Sequence, residues 1–369
     1  MSFTAQDYGF MARAIELAKR GRYTTTPNPN VGCVLVKQGR IVGEGYHQRT
    51  GGAHAEVQAL RMAAEQARGA TAYVTLEPCA HQGRTPPCSQ ALITAGVAQV
   101  IAALEDPNPL VAGQGLRDLS AAGMQTASGL LAEQATQLNV GFLSRMQRQR
   151  PYVRVKMAAS LDARTAMASG ESQWITGAAA RADVHRLRAM SSAIITGIGT
   201  VLADNPALTV RHRPSDYEGD IRQPIRVICD SQLQIPLQAR VLATPEQTWV
   251  MTCHAASHEK KHALEAQGVR VTVFEGERLP LASVLQHLAQ EQINEVMVEA
   301  GPTLAGAFVA ANLVDEFWLY LAPHLMGDGA RGLFHLPGIH AMDQRMGLQI
   351  KDVRQVGADI RFRAVRQEA

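Results

Sequence analysis

The stretch His54-Ala55-Glu56, followed by Pro78-Cys79 and then by Cys88, decides how the first part of this sequence folds. One imidazole and two thiolates are donors that zinc prefers, and a catalytic zinc site leaves a fourth position open for water. Zinc lowers the pKa of a water ligand to about 7, so a nucleophile is available at neutral pH. Glu56 follows the histidine by two residues, where the start of a helix would direct its carboxylate at that water. The pattern predicts a catalytic zinc site with ligands His54, Cys79 and Cys88 and with Glu56 as the catalytic acid and base.

The spacing of these residues is typical of zinc deaminases, whose motif reads His-x-Glu and then Pro-Cys-x-x-Cys. This sequence departs from it in the last gap, because eight residues, 80–87, separate the two cysteines. Two other interpretations exist. A structural zinc site would need a fourth ligand, for which His81 is the nearest candidate, and unpaired cysteines are also common as small core residues. Glu56 and Pro78-Cys79 both stand where deaminase chemistry needs them, which favours the catalytic interpretation.

The composition is that of an ordinary globular protein, with 46% hydrophobic and 19% charged residues. A length of 369 residues predicts about two domains. We expect neither a signal peptide nor a membrane span, because residues 1–20 have the pattern of an amphipathic helix capped by Thr4 and Asp7. Five cysteines, two of them assigned to zinc, predict no disulfide framework and favour a reducing cytoplasm. A net charge of +3 is too small to indicate nucleic-acid binding.

Strand and helix signals alternate along the sequence, which predicts α/β folds with helices on both faces of a sheet. The polar segment 145–151 ends in proline, so we expect a deaminase domain over residues 1–147 and a second domain over 148–369. In the first domain the predicted strands are 31–36, 40–46, 72–76 and 97–103, and the predicted helices are 54–67 and 86–95. In the second domain strands are predicted at 152–162, 193–196, 225–229, 248–252, 269–274, 295–299, 316–322 and near the C-terminus. Its predicted helices are 178–190, 259–267, 281–290 and 302–310.

Further residues of the first domain are candidates for substrate contacts. Arg84 lies between the cysteines, where a guanidinium would bind a phosphate, and a solvated surface arginine is an equally good interpretation. The segment 27–32 is a proline-rich turn that carries Asn28 and Asn30, whose amides can bind a polar ring or a ribose. Ordinary turn chemistry explains the same residues. His47 is a weaker candidate, since it also fits a loop histidine.

Four motifs of this domain together resemble the bifunctional deaminase/reductase family of riboflavin biosynthesis. They are Pro27-Asn28-Pro29-Asn30-Val31-Gly32, His54-Ala55-Glu56, Glu77-Pro78-Cys79 and Gly83-Arg84-Thr85-Pro86-Pro87-Cys88. The family shares the eight-residue gap, and the resemblance covers nearly the whole chain. It implies an α/β fold of two domains, an N-terminal cytidine-deaminase-like α/β/α domain and a C-terminal dihydrofolate-reductase-like domain. It also implies zinc-dependent deamination of 2,5-diamino-6-(5-phosphoribosylamino)pyrimidin-4-one, and then NADPH-dependent reduction of the ribosyl group to ribityl.

Under this resemblance His54, Cys79 and Cys88 bind zinc, and Glu56 moves a proton from water to the ring nitrogen and the leaving ammonia. The phosphate and ribose contacts of the family map to His47, Arg84, Asn28 or Asn30, and Asn108.

The second domain has neither a P-loop nor a G-x-G-x-x-G motif. The segment 298–306 predicts a strand that ends at Glu299 and a helix that starts at Pro302, a turn that either binds a phosphate or simply connects two elements. The segments 160–162, 169–176, 199–206 and 208–211 resemble the reductase motifs of the same family. The implied NADPH contacts are Ala158, Trp174, Thr200, Asp204, Ser231, Gly301, Pro302, Thr303, Leu304, Ala305, Gly306 and Ala307. The implied substrate contacts are Ser172, Arg188, Leu208, Arg211, Glu299 and Lys156. Trp174 also fits core packing, and Arg188 also fits a helix surface.

Two rival functions remain to be separated. A nucleic-acid base deaminase joined to an RNA-binding module is disfavoured, because only 5% of the residues are aromatic and the second half has no basic stripe. A single active domain beside an inactive one is disfavoured, because all four zinc-site residues are present. The expected partner is a phosphorylated pyrimidine, with no nucleic acid and no membrane. We also expect a homo-oligomer, since cytidine-deaminase-like domains commonly associate.

Overall fold

The computed structural model describes residues 2–80, 87–108, 112–214, 216–217 and 219–367. It divides into two compact units, the first ending at Gln149 and the second beginning at Arg150. The sequence places the division two residues earlier, after residue 147. The helix Val140–Arg148 runs through that point, so the observed division follows the end of this helix.

The first unit is built on a mixed sheet. In the described residues its strands are β1 (Gly32–Lys37), β2 (Arg40–Tyr46), β3 (Thr71–Val74), β4 (Gln99–Ala102) and β5 (Gln125–Ser128). They stand in the order β2-β1-β3-β4-β5, with β1 antiparallel to β2 and β3, and with β3, β4 and β5 parallel. Its helices are α1 (Ala5–Lys19), α2 (Ala55–Ala63), α3 (Cys88–Ala95), α4 (Gln114–Ala121), α5 (Ala132–Leu138) and α6 (Val140–Arg148).

Helices cover both faces of this sheet. Successive strand side chains point to opposite faces, so Cys33 and Leu35 enter one core with α2, α3 and α4, while Val34 and Val36 enter another with α1 and α5. Buried strands of this kind show as continuous apolar runs, which is why β1 is evident in the sequence. The layered arrangement is the one that the alternating pattern predicts.

Two local features fix the positions of helices α1 and α2. The predicted cap of α1 is present: the Thr4 backbone N–H donates to the Asp7 carboxylate at 2.7 Å, and the Thr4 hydroxyl accepts from the Asp7 N–H. Helix α2 lies directly on β2 at Gly45, where an added Cβ would come within 2.3 Å of the Ala55 carbonyl oxygen. Only glycine permits this approach, which sets the start of α2 against the sheet.

The second unit has a larger, mostly parallel sheet. In the part of the chain that the structure describes its strands are β6 (Tyr152–Ser160), β7 (Arg164–Ala166), β8 (Ala193–Gly197), β9 (Ile225–Cys229), β10 (Thr248–Cys253), β11 (Arg270–Phe274), β12 (Glu295–Val298), β13 (Glu316–Ala322), β14 (Arg331–Gly332), β15 (Leu348–Val356) and β16 (Asp359–Arg366). The large sheet has the order β11-β10-β9-β8-β12-β6-β13-β16-β15, in which β16 runs antiparallel to both of its neighbours, β13 and β15, and the other pairs are parallel. Strands β7 and β14 pair separately. The helices are α7 (Ala178–Met190), α8 (Ile198–Asp204), α9 (His258–Ala266), α10 (Leu281–Gln290) and α11 (Pro302–Ala310).

Two cores also enclose this sheet. Val296 and Val298 of β12 enter the core that contains α10 and α11, and Met297 enters the core that contains α7. After β8 the chain adds β9, β10 and β11 in turn on one side of the sheet. It then returns to place β12 between β8 and β6, and adds β13 on the other side of β6, so the direction in which strands are added reverses there. Open parallel sheets bind ligands at such a reversal, beyond the carboxyl ends of the strands.

Most predicted elements agree with the structure to within a few residues. The helix 178–190 coincides with α7, whereas the predicted helix 54–67 ends at Ala63 and continues as a 3-10 turn, Ala64–Ala67. The helix expected from residue 86 begins at Cys88. Helices α4, α5 and α6 have no counterpart among the predictions. No helix in the described ranges combines the length and hydrophobicity needed to cross a membrane.

Candidate active sites

The three predicted zinc ligands of the first unit lie together. The His54 Nδ1 atom is 3.2 Å from the Cys88 Sγ atom and 3.7 Å from the Cys79 Sγ atom. All three ligand atoms lie within 4.8 Å of one another, and no further His, Cys, Asp or Glu of the described ranges joins them. Zinc bonds of about 2.0 to 2.3 Å at tetrahedral angles require similar separations. The donor set therefore fits zinc with one open position, and His81 lies outside the described residues.

Helix starts hold two of these ligands. His54 is the residue before the first turn of α2, and Cys88 is the first residue of α3. The Cys88 backbone N–H donates to the Cys79 Sγ atom at 3.4 Å. Hydrogen bonds from the Cys88 thiol and from the His54 ring lower the pKa of Cys79, and the same contact with Cys79 raises the pKa of Cys88. The thiolate, which is the form that binds metal, is therefore available at neutral pH.

Glu56 lies in the first turn of α2 and is only 3% exposed. Burial, together with the negative charge of Cys79, raises the pKa of Glu56 to about 7. Glu56 is not part of the ligand group, and a hydrogen bond with Cys88 holds its carboxyl group next to the ligands. A buried carboxyl group beside a three-ligand metal site is the arrangement that a hydrolytic deaminase needs.

A second histidine borders the metal ligands. The His47 Nε2 atom lies 3.1 Å from the Asn28 amide nitrogen, and its Nδ1 atom lies 3.2 Å from the Ala53 carbonyl oxygen. The His47 and His54 rings are packed edge to face, and their centres are 5.4 Å apart. Because the Asn28 amide can only donate, His47 Nε2 accepts and Nδ1 carries the proton. Burial lowers the pKa of His47, which keeps this ring neutral.

The other predicted substrate residues of this unit have different positions. Asn30 holds the fold: its amide donates to the Leu138 carbonyl at 3.0 Å, and its backbone N–H donates to the Asn139 side chain at 2.7 Å. The Asn108 backbone N–H donates to the Asp106 carboxylate at 2.8 Å. Arg84 lies outside the described residues. Of the two asparagines, only Asn28 reaches the metal site.

Glu77 is an important residue that the sequence did not single out for a role of its own. It is buried, and its carboxylate accepts three backbone N–H groups, from Asp106 at 3.0 Å, Gly113 at 2.9 Å and Leu116 at 3.1 Å. At Gly115 an added Cβ would lie 2.0 Å from the Pro78 carbonyl oxygen. Glu77 therefore fastens the start of α4 to the loop that carries Cys79. The Glu-Pro-Cys motif contained the residue, but its partners are far along the chain.

In the second unit the implied NADPH contacts gather at one edge of the sheet. Ala158 is near the end of β6, Thr200 lies in α8 after β8, Ser231 follows β9, and Gly301 follows β12. These four parallel strands are neighbours, so their carboxyl ends meet. Asp204 ends α8 in an exposed position. The residues that the family resemblance implies for the cofactor therefore come together at the carboxyl ends of adjacent strands.

Residues 302–307 form the first turns of α11. Pro302, Thr303, Leu304 and Ala307 are exposed or half-buried, whereas Ala305 and Gly306 are buried. At Gly306 an added Cβ would lie 2.1 Å from the His335 carbonyl oxygen. The side of α11 that contains Ala305 and Gly306 therefore packs inside the protein, and a ligand would meet the exposed start of the helix.

Trp174 and Leu208 lie in opposite environments. Trp174 is 70% exposed, with the Arg181 guanidinium 4.7 Å from the centre of its ring, so the core-packing interpretation is wrong. Leu208 is 3% exposed and belongs to the hydrophobic core around α7, at a backbone φ of 51°. A substrate contact at Leu208 would therefore come from its main chain. Ser172 is half-buried in the segment that carries Trp174.

The implied substrate contacts form a charged cluster around Glu299. The Arg188 guanidinium donates two hydrogen bonds to the Glu299 carboxylate, at 2.8 and 2.9 Å, and the Lys156 ammonium is 3.6 Å away. Burial opposes ionisation, but the charges of Arg188 and Lys156 prevail and lower the pKa of Glu299 to about 2. Arg188 also donates to the Thr209 carbonyl at 3.0 Å. Arg188 is thus a buried partner of Glu299, not a helix-surface charge.

Arg211 is the more exposed arginine of this cluster. Its backbone N–H donates to the His185 Nδ1 atom at 3.2 Å, and the His185 ring stands edge-on to His212 at 4.7 Å. Burial and the charge of Arg188 lower the pKa of His185 to about 4. A neutral His185 therefore holds the Arg211 segment in place, while the Arg211 guanidinium faces solvent.

Each of the two units matches a known protein family. Residues 4–104 match the family model of the cytidine and deoxycytidylate deaminase zinc-binding region, and residues 151–362 match that of the RibD C-terminal domain. The chain is therefore a zinc-dependent deaminase fused to a reductase, which confirms the predicted fold class and the predicted zinc and NADPH cofactors. An RNA-binding second domain is accordingly wrong.

The relatives extend over the whole chain. The riboflavin biosynthesis protein RibD of Escherichia coli is 53% identical over 96% of this chain and 98% of its own length. The structure of Acinetobacter baumannii RibD superposes with a TM-score of 0.93 at 49% identity, covering 98% of this chain and 99% of that one. A diaminohydroxyphosphoribosylaminopyrimidine deaminase/5-amino-6-(5-phosphoribosylamino)uracil reductase from Thermotoga maritima gives 0.84 at 31% identity, with the same coverage. The chain belongs to the RibD family of bifunctional riboflavin-biosynthesis enzymes.

Proposed function

We propose that the first unit deaminates 2,5-diamino-6-(5-phosphoribosylamino)pyrimidin-4-one, and that the second unit reduces the product to 5-amino-6-(5-phosphoribitylamino)uracil. The observation that carries the proposal is the group of His54, Cys79 and Cys88 with Glu56 buried beside it. Bound zinc supplies a water molecule that is acidic enough to react at neutral pH. The residues of the chain then bind the substrate and move protons.

Glu56 is the proton carrier of the deamination. Its carboxylate accepts one proton from the attacking water and delivers it to the ring nitrogen. It then accepts the second proton, from the new hydroxyl group on the ring carbon, and delivers it to the amino group, which leaves as ammonia while the carbonyl forms. Both transfers require one carboxyl group that ionises and protonates easily in a site from which bulk water is excluded. The burial of Glu56 supports this role.

Asn28 and His47 are the substrate contacts beside the metal. The His47 ring is oriented by the Ala53 carbonyl oxygen and by the Asn28 amide, which leaves the Asn28 side-chain oxygen for a polar group of the substrate. We assign Arg84 to the phosphate, because its guanidinium suits a phosphate group and it stands in the sequence between the ligands Cys79 and Cys88. These assignments predict that Asn28→Ala weakens substrate binding without loss of zinc.

The second unit places the nicotinamide against the C1′ carbon of the sugar. NADPH supplies the hydride, and the protein supplies orientation and exclusion of water. Trp174 offers an exposed aromatic face, and Thr200, Ser231 and the start of α11 border the cofactor. Arg211 binds the sugar phosphate, while Glu299, held by Arg188 and Lys156, contacts the substrate.

One experiment tests both activities together. The purified protein is incubated with the diaminopyrimidine ribotide, with and without NADPH, while ammonia release and NADPH absorbance are followed. We expect ammonia in both reactions, and NADPH oxidation only after deamination has begun. NADPH oxidation without any ammonia release would contradict the proposed order and the role of the zinc site.

We also propose a homo-oligomer in the cytoplasm. Strand β15 is the last strand of its sheet, and its side chains Ile350 and Val353 are 58% and 54% exposed. A free strand edge with exposed apolar side chains favours pairing with another chain. All five cysteines are free, which suits a reducing compartment. Analytical ultracentrifugation of the wild type and of Ile350→Lys tests the association; a monomeric wild type would contradict it.

A further inference from the structure

Arg331 stands beside the start of helix α11. Strand β14, to which it belongs, pairs with β7 at Ala166. Arg331 lines a cavity of about 310 Å³ together with Pro302 and Thr303 of α11, and with Gly332, Phe334 and His335. The cavity therefore joins a cation to a helix start that the family resemblance assigns to the cofactor.

The Arg331 guanidinium is uncommitted. Among the described residues it makes no ion pair and no side-chain hydrogen bond, whereas the nearby Arg164 lies 3.7 Å from the Asp328 carboxylate. An added Cβ on Gly170 would lie 3.3 Å from the Arg331 Nη2 atom, so the guanidinium rests against bare backbone there. Gly170 belongs to the segment that carries Trp174, another implied cofactor contact. The cation thus lies between two parts of the expected NADPH site.

The start of helix α11 has no side-chain cap. Gly301 precedes the helix and makes no side-chain cap, and Pro302 has no N–H group. The N–H groups of Thr303 and Leu304 are therefore left to solvent or to a ligand, and the helix dipole favours an anion there. Backbone N–H groups and a guanidinium together form the usual protein site for a phosphate group.

We propose that Arg331 is an NADPH-binding residue whose guanidinium contacts the pyrophosphate at the start of α11. The proposal rests on the proposed cofactor site and adds to it a residue outside the motifs of the sequence. Arg331 reaches this position only through the pairing of β14 with β7, more than 20 residues after α11 ends.

Binding measurements test this role without turnover. All three tryptophans, Trp174, Trp249 and Trp318, lie in the second unit, so their quenching reports NADPH and NADH binding to the complete protein. We expect Arg331→Ala to weaken binding of both dinucleotides by about 10-fold, since one charge-assisted contact is lost. Arg331→Lys should recover part of the affinity. Arg278→Ala removes an exposed charge beyond β11 at the edge of the sheet and should leave binding unchanged.

Each result decides the proposal. Unchanged binding in Arg331→Ala would overturn it, and so would a loss confined to NADPH, because that result would place Arg331 at the 2′-phosphate. A wild type that binds neither dinucleotide would instead contradict the proposed cofactor site. If Arg331→Ala is unstable by circular dichroism, the comparison of Arg331→Lys with Arg278→Lys replaces it, and equal affinities would overturn the proposal.

Discussion

Removal of the Glu299 charge tests the energetics of the reductase cluster. In the wild type two hydrogen bonds from Arg188 and the charge of Lys156 surround the Glu299 carboxylate, whose side chain is 16% exposed. A pKa of about 2, against an ordinary value of 4.5, corresponds to about 3 kcal/mol of stability at neutral pH. Removal of one member of a buried pair typically costs about 3 to 5 kcal/mol, which agrees. Glu299→Gln should therefore destabilise the second unit by about 3 kcal/mol.

Tryptophan fluorescence measures this effect during urea unfolding, because all three tryptophans belong to the second unit. With a slope of about 2 kcal/mol per molar urea, the midpoint should fall by about 1.5 M. The control is Glu291→Gln, which breaks an ion pair with Arg270 whose two side chains are 33% and 41% exposed. An exposed pair contributes less than about 1 kcal/mol, so this midpoint should move by less than about 0.5 M.

The pH dependence of the stability difference between wild type and Glu299→Gln provides a second test. The pKa of Glu299 is lower in the folded protein than in the unfolded chain, so its stabilisation is complete above pH 4.5 and is lost as the pH falls toward 2. The difference between wild type and Glu299→Gln should therefore be constant near neutral pH and shrink below pH 4.5. Equal midpoints for Glu299→Gln and Glu291→Gln at pH 7 would refute the assignment of a strong buried pair.

Three further predictions concern both units. Glu56→Gln should keep its zinc and release ammonia at least about 100-fold more slowly, because the proton carrier is gone; a wild-type rate would exclude this role. Gly115→Ala forces a Cβ to 2.0 Å from the Pro78 carbonyl oxygen, so thermal unfolding followed by circular dichroism should show about 1 to 3 kcal/mol of destabilisation. An unchanged melting temperature would mean that the loop at Pro78 moves away from the added methyl group without cost, and would contradict this prediction. The His185 pKa is lowered to about 4, so the urea midpoint advantage of wild type over His185→Asn should be full above pH 6.5 and fade toward pH 4. If the difference in urea midpoint between wild type and His185→Asn does not change with pH, the His185 ring is not held neutral by burial.

The sequence was most informative where chemistry depends on neighbouring residues. His54 and Glu56 are two residues apart, and their residue types alone predict a metal ligand beside a proton carrier. The third ligand, Cys88, follows after a gap unlike that of the compact motif, so the family resemblance was needed to assign it firmly. The strands were also predictable, because a sheet buried on both faces requires continuous apolar runs such as residues 31–36.

Long-range pairing explains what could not be foreseen. Glu77 holds backbone groups of Asp106, Gly113 and Leu116, and no local pattern connects these positions. The Arg188–Glu299 pair joins residues 111 positions apart, so Arg188 could equally have been a surface charge. Leu208 shows the reverse: a segment that resembles a substrate motif contributes its side chain to the core.

Metal analysis of freshly purified protein tests the central claim most directly. We predict about one zinc per chain in active wild-type protein, and loss of both the zinc and the ammonia release in Cys79→Ser. Glu56→Gln should keep the zinc and lose only the ammonia release. Wild-type protein that deaminates its substrate without stoichiometric metal would contradict the account.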